Sequence, residues 1–518
     1  MKIIMKKVFI LEAVLVVGIA LLLSWRIQVG LTRFFDVDEF THLHWAAAMV
    51  HGSKPYIDFF TFFTPGFYWF LAPFFWIFSG SVSLFIAVRV VAIIIFFLML
   101  ALIGVLFGML RNRRYLLIPV ILLAFLPMPY DKFLELRPDN LATMLGLAGV
   151  VIQVWALLND THKKVKLAWG LAGFAYGWAA IVLVKMLPFV GVGCLIAILD
   201  CGILVSVWKS ITEKKRIHIV IGVEYLWFIA GLCIPVAIFA LWAISLGNLS
   251  TVIYSLTKMP FESNNIGHIY IMEPHLFFFP NASFYGGWGI TMPLILNNAL
   301  WAIGAVVGVY RFFTPYIAAN GNRKKVLAEV LVSLIFVLSV VGYVNFFPLK
   351  HSQYLIPIAI FIAFYAGDIF VELLKRMEKS WGIIPVIFLL CFCMYGLWQQ
   401  TIQVNQSKLT MSNTIQLQQL KALKLMIPAS DEVFDLEGRM IYWKDPYYIC
   451  CLPIGSFVSL LSRQPPPISQ VLEARKVPYI FQGDTGRLWE FNNDLPYITA
   501  HYTRVPGWGD ALWKRNTP

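Results

Sequence analysis

The chain has 518 residues, 59% hydrophobic, 16% aromatic and only 13% charged, with a mean hydropathy of +0.74. Soluble domains carry about 25% charged residues, so this composition cannot dress a water-facing surface. It excludes a soluble enzyme, a disordered chain and a disulfide-stapled secreted domain, and indicates a polytopic membrane protein. The formal charge of +13 lies in short clusters between apolar runs rather than on a basic face interleaved with aromatics, which argues against nucleic acid as a partner.

The basic N-terminus, Met1 to Lys7, precedes an apolar run. No small-x-small cleavage site follows before Trp25-Arg26-Ile27, so the run reads as an uncleaved first span. Eleven apolar runs emerge, at about 8–25, 82–110, 115–129, 140–158, 167–184, 186–207, 218–246, 290–311, 326–346, 353–374 and 381–398. The run at 115–129 is short, and that at 186–207 abuts Lys185. With a cytoplasmic N-terminus, the short cytoplasmic segments carry 20 Lys and Arg, against 8 in the much longer opposite loops. This bias places the loops 26–81 and 247–289 outside, together with everything after residue 398.

The first external loop concentrates the chemistry. It reads Arg33-Phe34-Phe35-Asp36-Val37-Asp38-Glu39-Phe40-Thr41-His42, with three carboxylates in four residues. Asp36 and Glu39 have the spacing of a helix cap and its third residue, predicting a helix to about Val50 with Gly52 at its end. Asp38 and His42 are four apart on one helix face, and a partly desolvated carboxylate there suits a general base. Asp38 and Glu39 are the candidate catalytic pair. The aromatic stretch through Asp58-Phe59-Phe60 and Thr64 to Pro73 is amphipathic and predicts helices lying along the membrane interface.

Further charged groups fall at the outer face: Arg137, Asp139, Lys185, Lys350 and His351, with Arg89 about 10 Å below it by helical rise. His42, Asp58 and these residues are the candidate substrate-binding set. Loop 247–289 adds Lys258, Glu262, His268, Glu273 and His275. No spacing singles out a metal site, so no cofactor is assigned with certainty and a divalent metal is left open. Of seven cysteines, five lie in apolar runs, while the adjacent Cys450 and Cys451 are not expected to pair with each other.

The tail, 399–518, changes composition. Strands are expected at 432–436 and 477–481 and helices at 414–425 and 467–475, giving a small α/β external domain beside a membrane module of residues 1–398.

The acidic pair soon after the first span, then Gly-x-x-Pro-Tyr-x-Asp-Phe-Phe and a Thr-Pro turn, resembles the GT-C class of membrane glycosyltransferases. Similarity is nearest to bacterial relatives of the protein O-mannosyltransferases and the lipid A aminoarabinose transferases. Leu136-Arg137-Pro138-Asp139 resembles the family's external Arg-Pro-Asp turn, and Lys185 a lysine found between spans in such enzymes. One departure is Thr61-Phe62-Phe63, where many relatives carry acidic and His residues. The resemblance implies an all-α GT-C-like fold in a bacterial inner membrane. It also implies a polyprenyl-phosphate sugar as donor and transfer to a hydroxyl acceptor outside. The rival class is a transporter or flippase of a lipid-linked anionic glycan, which would carry ionisable groups deep within several spans.

Overall fold

The computed structural model describes residues 2–126, 129–201, 222–263, 292–319, 322–346, 351–380, 412–451 and 458–516, with single positions between 384 and 402. The first helix, α1 (Lys2–Thr32), continues past Arg26, where a span end was expected. Arg26 is fully buried, donates to the Ala124 carbonyl and lies 4.4 Å from the centre of the Phe96 ring. A cation with a carbonyl and a ring face inside the protein need not end a helix.

Two helices occupy the loop before the next long helix: α2 (Val37–Val50) and α3 (Gly66–Ile77). Helix α2 is buried from Glu39 to Ala47. Helix α3 buries Phe67, Tyr68 and Leu71 and exposes Trp76 and Ile77. There follow α4 (Ser83–Leu110), α5 (Leu117–Phe125), α6 (Pro138–Leu158), α7 (Val165–Val182), α8 (Leu187–Asp200), α9 (Val223–Ser245), α10 (Met292–Phe313), α11 (Arg323–Phe346) and α12 (Ile356–Ser380).

Among the described residues, six helical stretches are long and apolar enough to cross a membrane: α4, α6, α7, α9, α11 and Ser352–Arg376. The expected count of eleven spans is therefore not reproduced. Helices α5 and α8 have 9 and 14 residues, short of the ~20 that a bilayer core needs. The runs at 290–311 and 381–398 lie partly or mostly outside the described residues.

Small residues set the closest packing. A Cβ on Gly231 of α9 would fall on the Gly170 carbonyl oxygen of α7, so the two backbones touch directly. Away from the tail, Arg111 pairs with Glu329 of α11 and, at 2.7 Å, with Asp368 of α12, while Arg311 of α10 reaches Asp368 at 3.3 Å. This cluster ties four helices together without leaving a buried charge alone.

In the tail, α13 (Asn413–Met426) is followed by a four-stranded sheet of order β1-β2-β4-β3. Its strands are β1 (Val433–Asp435), β2 (Tyr479–Phe481), β3 (Tyr502–Arg504) and β4 (Leu512–Arg515). The first two pair in parallel, with Phe434 opposite Ile480; the other pairings are antiparallel. Helices α14 (Ile468–Arg475) and α15 (Leu495–His501) complete it. The tail is fastened to the first loop by side chains meeting backbone. The Gln416 amide accepts from Phe35 N at 2.6 Å and donates to Phe35 O at 3.1 Å, and Asn413 donates to Leu31 O at 2.6 Å.

Candidate active site

The site begins at the start of α2. Asp36 caps the helix, accepting from Asp38 N at 3.0 Å, and Glu39 reaches back to Asp36 N at 3.0 Å. This reciprocal cap satisfies two orphan amides and leaves Asp38 free of that duty. At the far end His51 and Gly52 close the helix on Ala47 and Met49 carbonyls.

Glu39 has a second task. It is fully buried, accepts from Arg89 Nε at 2.5 Å and from Leu136 N at 2.8 Å, and its other oxygen is also held by Arg89. Arg89 in turn donates to Gly30 O at 2.6 Å and Phe34 O at 3.0 Å, and stacks 4.5 Å above the Phe35 ring. The pair thus staples α1, α2, α4 and the approach to α6. In this structure Glu39 and Arg89, both expected to serve the site, are paired with each other. Asp58 accepts from Lys54 N at 2.7 Å within an exposed turn.

Arg137 stands at the start of α6, where Pro138 begins the helix and Asp139 lies in its first turn. It donates to Glu135, to Asp38 Oδ2 at 2.6 Å and to Asp36 Oδ1 at 3.2 Å. Glu135 is fully buried and also takes Arg33 at 2.5 Å and Lys132 at 3.0 Å. Lys132 closes the ring by reaching Asp36 at 3.2 Å. Burial alone would raise these carboxyls, but Lys132 and Arg137 hold Asp36 well below the usual range, and Arg137 and Lys132 hold Glu135 at about 2. The Arg137 guanidinium is held charged by the surrounding Glu135, Asp38 and Asp36 against the cost of its burial. A divalent ion at Asp38 would meet carboxylates already neutralised by Arg33, Lys132 and Arg137, so the donor set does not fit one there.

Asp38 is the most exposed acid of the ring, with 37% of its side chain accessible. Beside it stands Lys185, between α7 and α8, 3.8 Å from Asp139 and 3.2 Å from the centre of the Tyr354 ring. Burial pushes Lys185 down to about 8 despite the pull of Asp139. Burial likewise takes His351 to about 4, with Asp38 opposing and Arg137 and Lys185 assisting, while its ring packs 5.6 Å from Tyr354. His42 is walled in by Phe63, Phe67 and Trp45, and burial lowers it to about 3. Both imidazoles are therefore neutral at physiological pH.

The structure thus brings Asp38, His42, Arg137, Asp139, Lys185 and His351 to one neighbourhood, pairs Glu39 with Arg89 at its edge and puts Asp58 in an exposed turn. Lys350 lies outside the described residues. Sequence reading passed over Lys132 and Tyr354. Lys132 belongs to a charge-dense approach to α6, a signal that was available, whereas Tyr354 carried none. At the first turns of α6, the buried atoms Asp139 Oδ1, Asn140 Oδ1 and Thr143 Oγ1 make no hydrogen bond among the described residues. Asp139 and Thr143 are four apart, on one helix face.

The chain folds as a GT-C membrane glycosyltransferase does. ArnT from Cupriavidus metallidurans bound to undecaprenyl phosphate superposes with a TM-score of 0.58 at 11% identity, covering 96% of this chain and 97% of that one. Its apo form gives 0.57 at 11% identity with the same coverage. The oligosaccharyltransferase of Archaeoglobus fulgidus, in complex with Zn and sulfate, gives 0.50 at 10% identity, covering 93% of this chain and 71% of that one. No described protein family and no curated protein sequence matches the chain.

Proposed function

We propose that the protein is a membrane glycosyltransferase that moves a sugar from a polyprenyl-phosphate donor to a hydroxyl acceptor on the face bearing the tail. The carrying observation is that the accessible carboxylate Asp38, fixed through Oδ2 by Arg137, shares one polar floor with the cation Lys185. Fold supports the reading: ArnT, of like architecture, was crystallised with undecaprenyl phosphate.

Asp38 takes the proton of the acceptor hydroxyl as that oxygen attacks the anomeric carbon. Lys185 binds the donor phosphate and stabilises the charge that grows on it as the bond to the sugar breaks. Direct displacement of this kind inverts the anomeric carbon. Arg137 is a positioning residue, because three carboxylates already occupy its guanidinium. Asn140 and Thr143 offer side-chain oxygens without hydrogen-bond partners among the described residues to the sugar hydroxyls. We place the site and tail on the extracytoplasmic side of a bacterial inner membrane.

The test uses full-length protein in lipid nanodiscs with a polyprenyl-phosphate sugar. Asp38→Asn keeps the shape and removes the base, and is expected to lose about 10²–10⁴-fold in transfer rate with donor binding retained. Near-normal turnover by this variant would overturn the assignment.

A further inference from the structure

Six residues beyond Asp38, about 9 Å along the axis, α2 presents His44 to the tail rather than to the site. His44 is buried, with 6% of its side chain exposed. Its Nδ1 lies 3.3 Å from Asp435 Oδ2, at the end of β1, and its Nε2 3.6 Å from Asp445 Oδ2. Asp435 also accepts from Glu437 N at 2.9 Å, Gly438 N at 2.8 Å and Met440 N at 2.7 Å, and Asp445 from Tyr447 N at 2.9 Å. Amide donors of this kind favour carboxylates over carboxylic acids. Neither His44 contact is a well-aligned hydrogen bond. A neutral ring would therefore gain little here, while a charged one answers two buried acids.

The same segment of the tail is seated on α2 by close backbone contact. A Cβ on Gly438 would fall 2.8 Å from Thr41 N, so only glycine lets the chain approach so near. Beside it the Arg439 guanidinium lies 5.1 Å from the centre of the Phe40 ring and pairs with Glu437 at 2.7 Å and Asp484 at 2.9 Å. Along α2 the other titratable group that feels His44 is His51, lowered by burial and by the His44 charge. Cys450 and Cys451 also lie beside the His44 ring. Contrary to expectation from the sequence, the structure joins their sulfurs in a disulfide, which leaves them no proton to exchange.

Burial works against a charge on His44, yet Asp435 and Asp445 outweigh it and raise the imidazole above its ordinary 6.5. Burial raises Asp445 to about 7 against the pull of His44, and Glu437 to about 7 against that of Arg439. All three hold protons more tightly with the tail docked than in water, so docking takes up protons. The His44 share is complete below about pH 6.5 and is lost as pH rises through the raised value. The Asp445 and Glu437 shares are lost on the way from about pH 4 to about 7.

We propose that the His44 imidazolium, clamped between Asp435 and Asp445, pins the tail to α2 and releases it on losing its proton, so that pH on the tail's side of the membrane sets how firmly the tail holds the helix opening at Asp36. The pin stands whether or not the glycosyltransferase reading does.

Full-length protein in lipid nanodiscs is followed between about pH 6 and about pH 9, a range that spans imidazole titration. Exchange of the His44 C2 proton, resolved from His42 and His51 by fragmentation mass spectrometry, reads its protonation. Amide exchange across 433–445, corrected for its intrinsic pH dependence, reads docking. His44 is expected to titrate above its value in the denatured chain, with protection of 433–445 falling over the same range. His44→Gln/Asp445→Asn keeps two polar side chains and removes both titrations. It is expected to stay docked and to lose about tenfold less protection than the unaltered protein between about pH 6.5 and about pH 8.5. The C2 titration needs no substitution, so it decides even if the double variant fails to fold. His44 titrating at or below its denatured value overturns the proposal, as does equal pH dependence in the two proteins.

Discussion

In the proposed mechanism Lys185 holds the donor phosphate, and its surroundings give that role a pH signature. Burial lowers it to about 8, with Asp139 pulling the other way. It is charged below that pH and neutral above it, so affinity for a polyprenyl phosphate should be flat below pH 7.5. Above pH 8 it should fall, approaching tenfold per unit as one proton is lost. Lys185→Arg, whose guanidinium stays charged, should push this alkaline limb out of range. A limb that does not move with the substitution would assign it to another group. The same neighbourhood predicts a separate effect at Thr143. Its buried hydroxyl has no partner among the described residues, so Thr143→Val should leave stability nearly unchanged. If a sugar hydroxyl uses it, KM for the donor rises about 5–10-fold, as for loss of one neutral hydrogen bond. The first loop explains what could be read ahead of the structure. Asp36 and Glu39 act on neighbours three residues away, so their capping was written locally. Glu39 and Arg89 are fifty residues apart in sequence, and only the fold reveals that each consumes the other.

Between elements, that long-range pair is the main structural commitment. Both side chains are fully buried, and Glu39→Gln leaves Arg89 charged in the interior. The expected cost is about 3–5 kcal/mol, seen as a lower melting temperature and poor recovery of folded protein, not as a selective loss of turnover. Helix packing gives a second, cleaner comparison. Gly231 meets the Gly170 carbonyl directly, whereas Gly342 has nothing within 4 Å of a Cβ placed on it. Gly231→Leu should therefore cost about 3 kcal/mol or more and reduce monodisperse yield, while Gly342→Leu is tolerated. Equal behaviour of the two would mean that α7 and α9 do not meet as described. The tail shows the same limit of legibility at this scale. Strands β1 and β2 are legible because Val433-Phe434 and Tyr479 to Phe481 are short runs of β-branched and aromatic residues bounded by polar ones. Strands β3 and β4 are not, because Thr503, Arg504 and Lys514 face outward and dilute the alternation.

For the whole molecule, hydropathy marks the membrane class plainly, and among the described residues six of the expected spans stand as long apolar helices. Composition cannot tell a nine-residue buried helix such as α5 from part of a crossing, nor see that Arg26 is satisfied inside. The proposed orientation can be tested where the charge bias and the length of α6 meet. Helix α6 starts at Arg137 in the site and has 21 residues, about 31 Å of rise. That matches the ~30 Å hydrocarbon core, so the loop after Leu158 lies one membrane thickness from the site. The tail meets the chain at Leu31 and Phe35, on the site's own side. The loop at 159–166 carries Lys163, Lys164 and Lys166, the signature of a cytoplasmic segment. A reporter inserted in that loop should therefore be cytoplasmic, and one fused to the C-terminus extracytoplasmic, in cells expressing the intact chain. A paired phosphatase and fluorescent-protein assay reads both positions. If the two report the same compartment, α6 does not cross the membrane, and a site facing lipid-linked donors from outside would have to be abandoned with it.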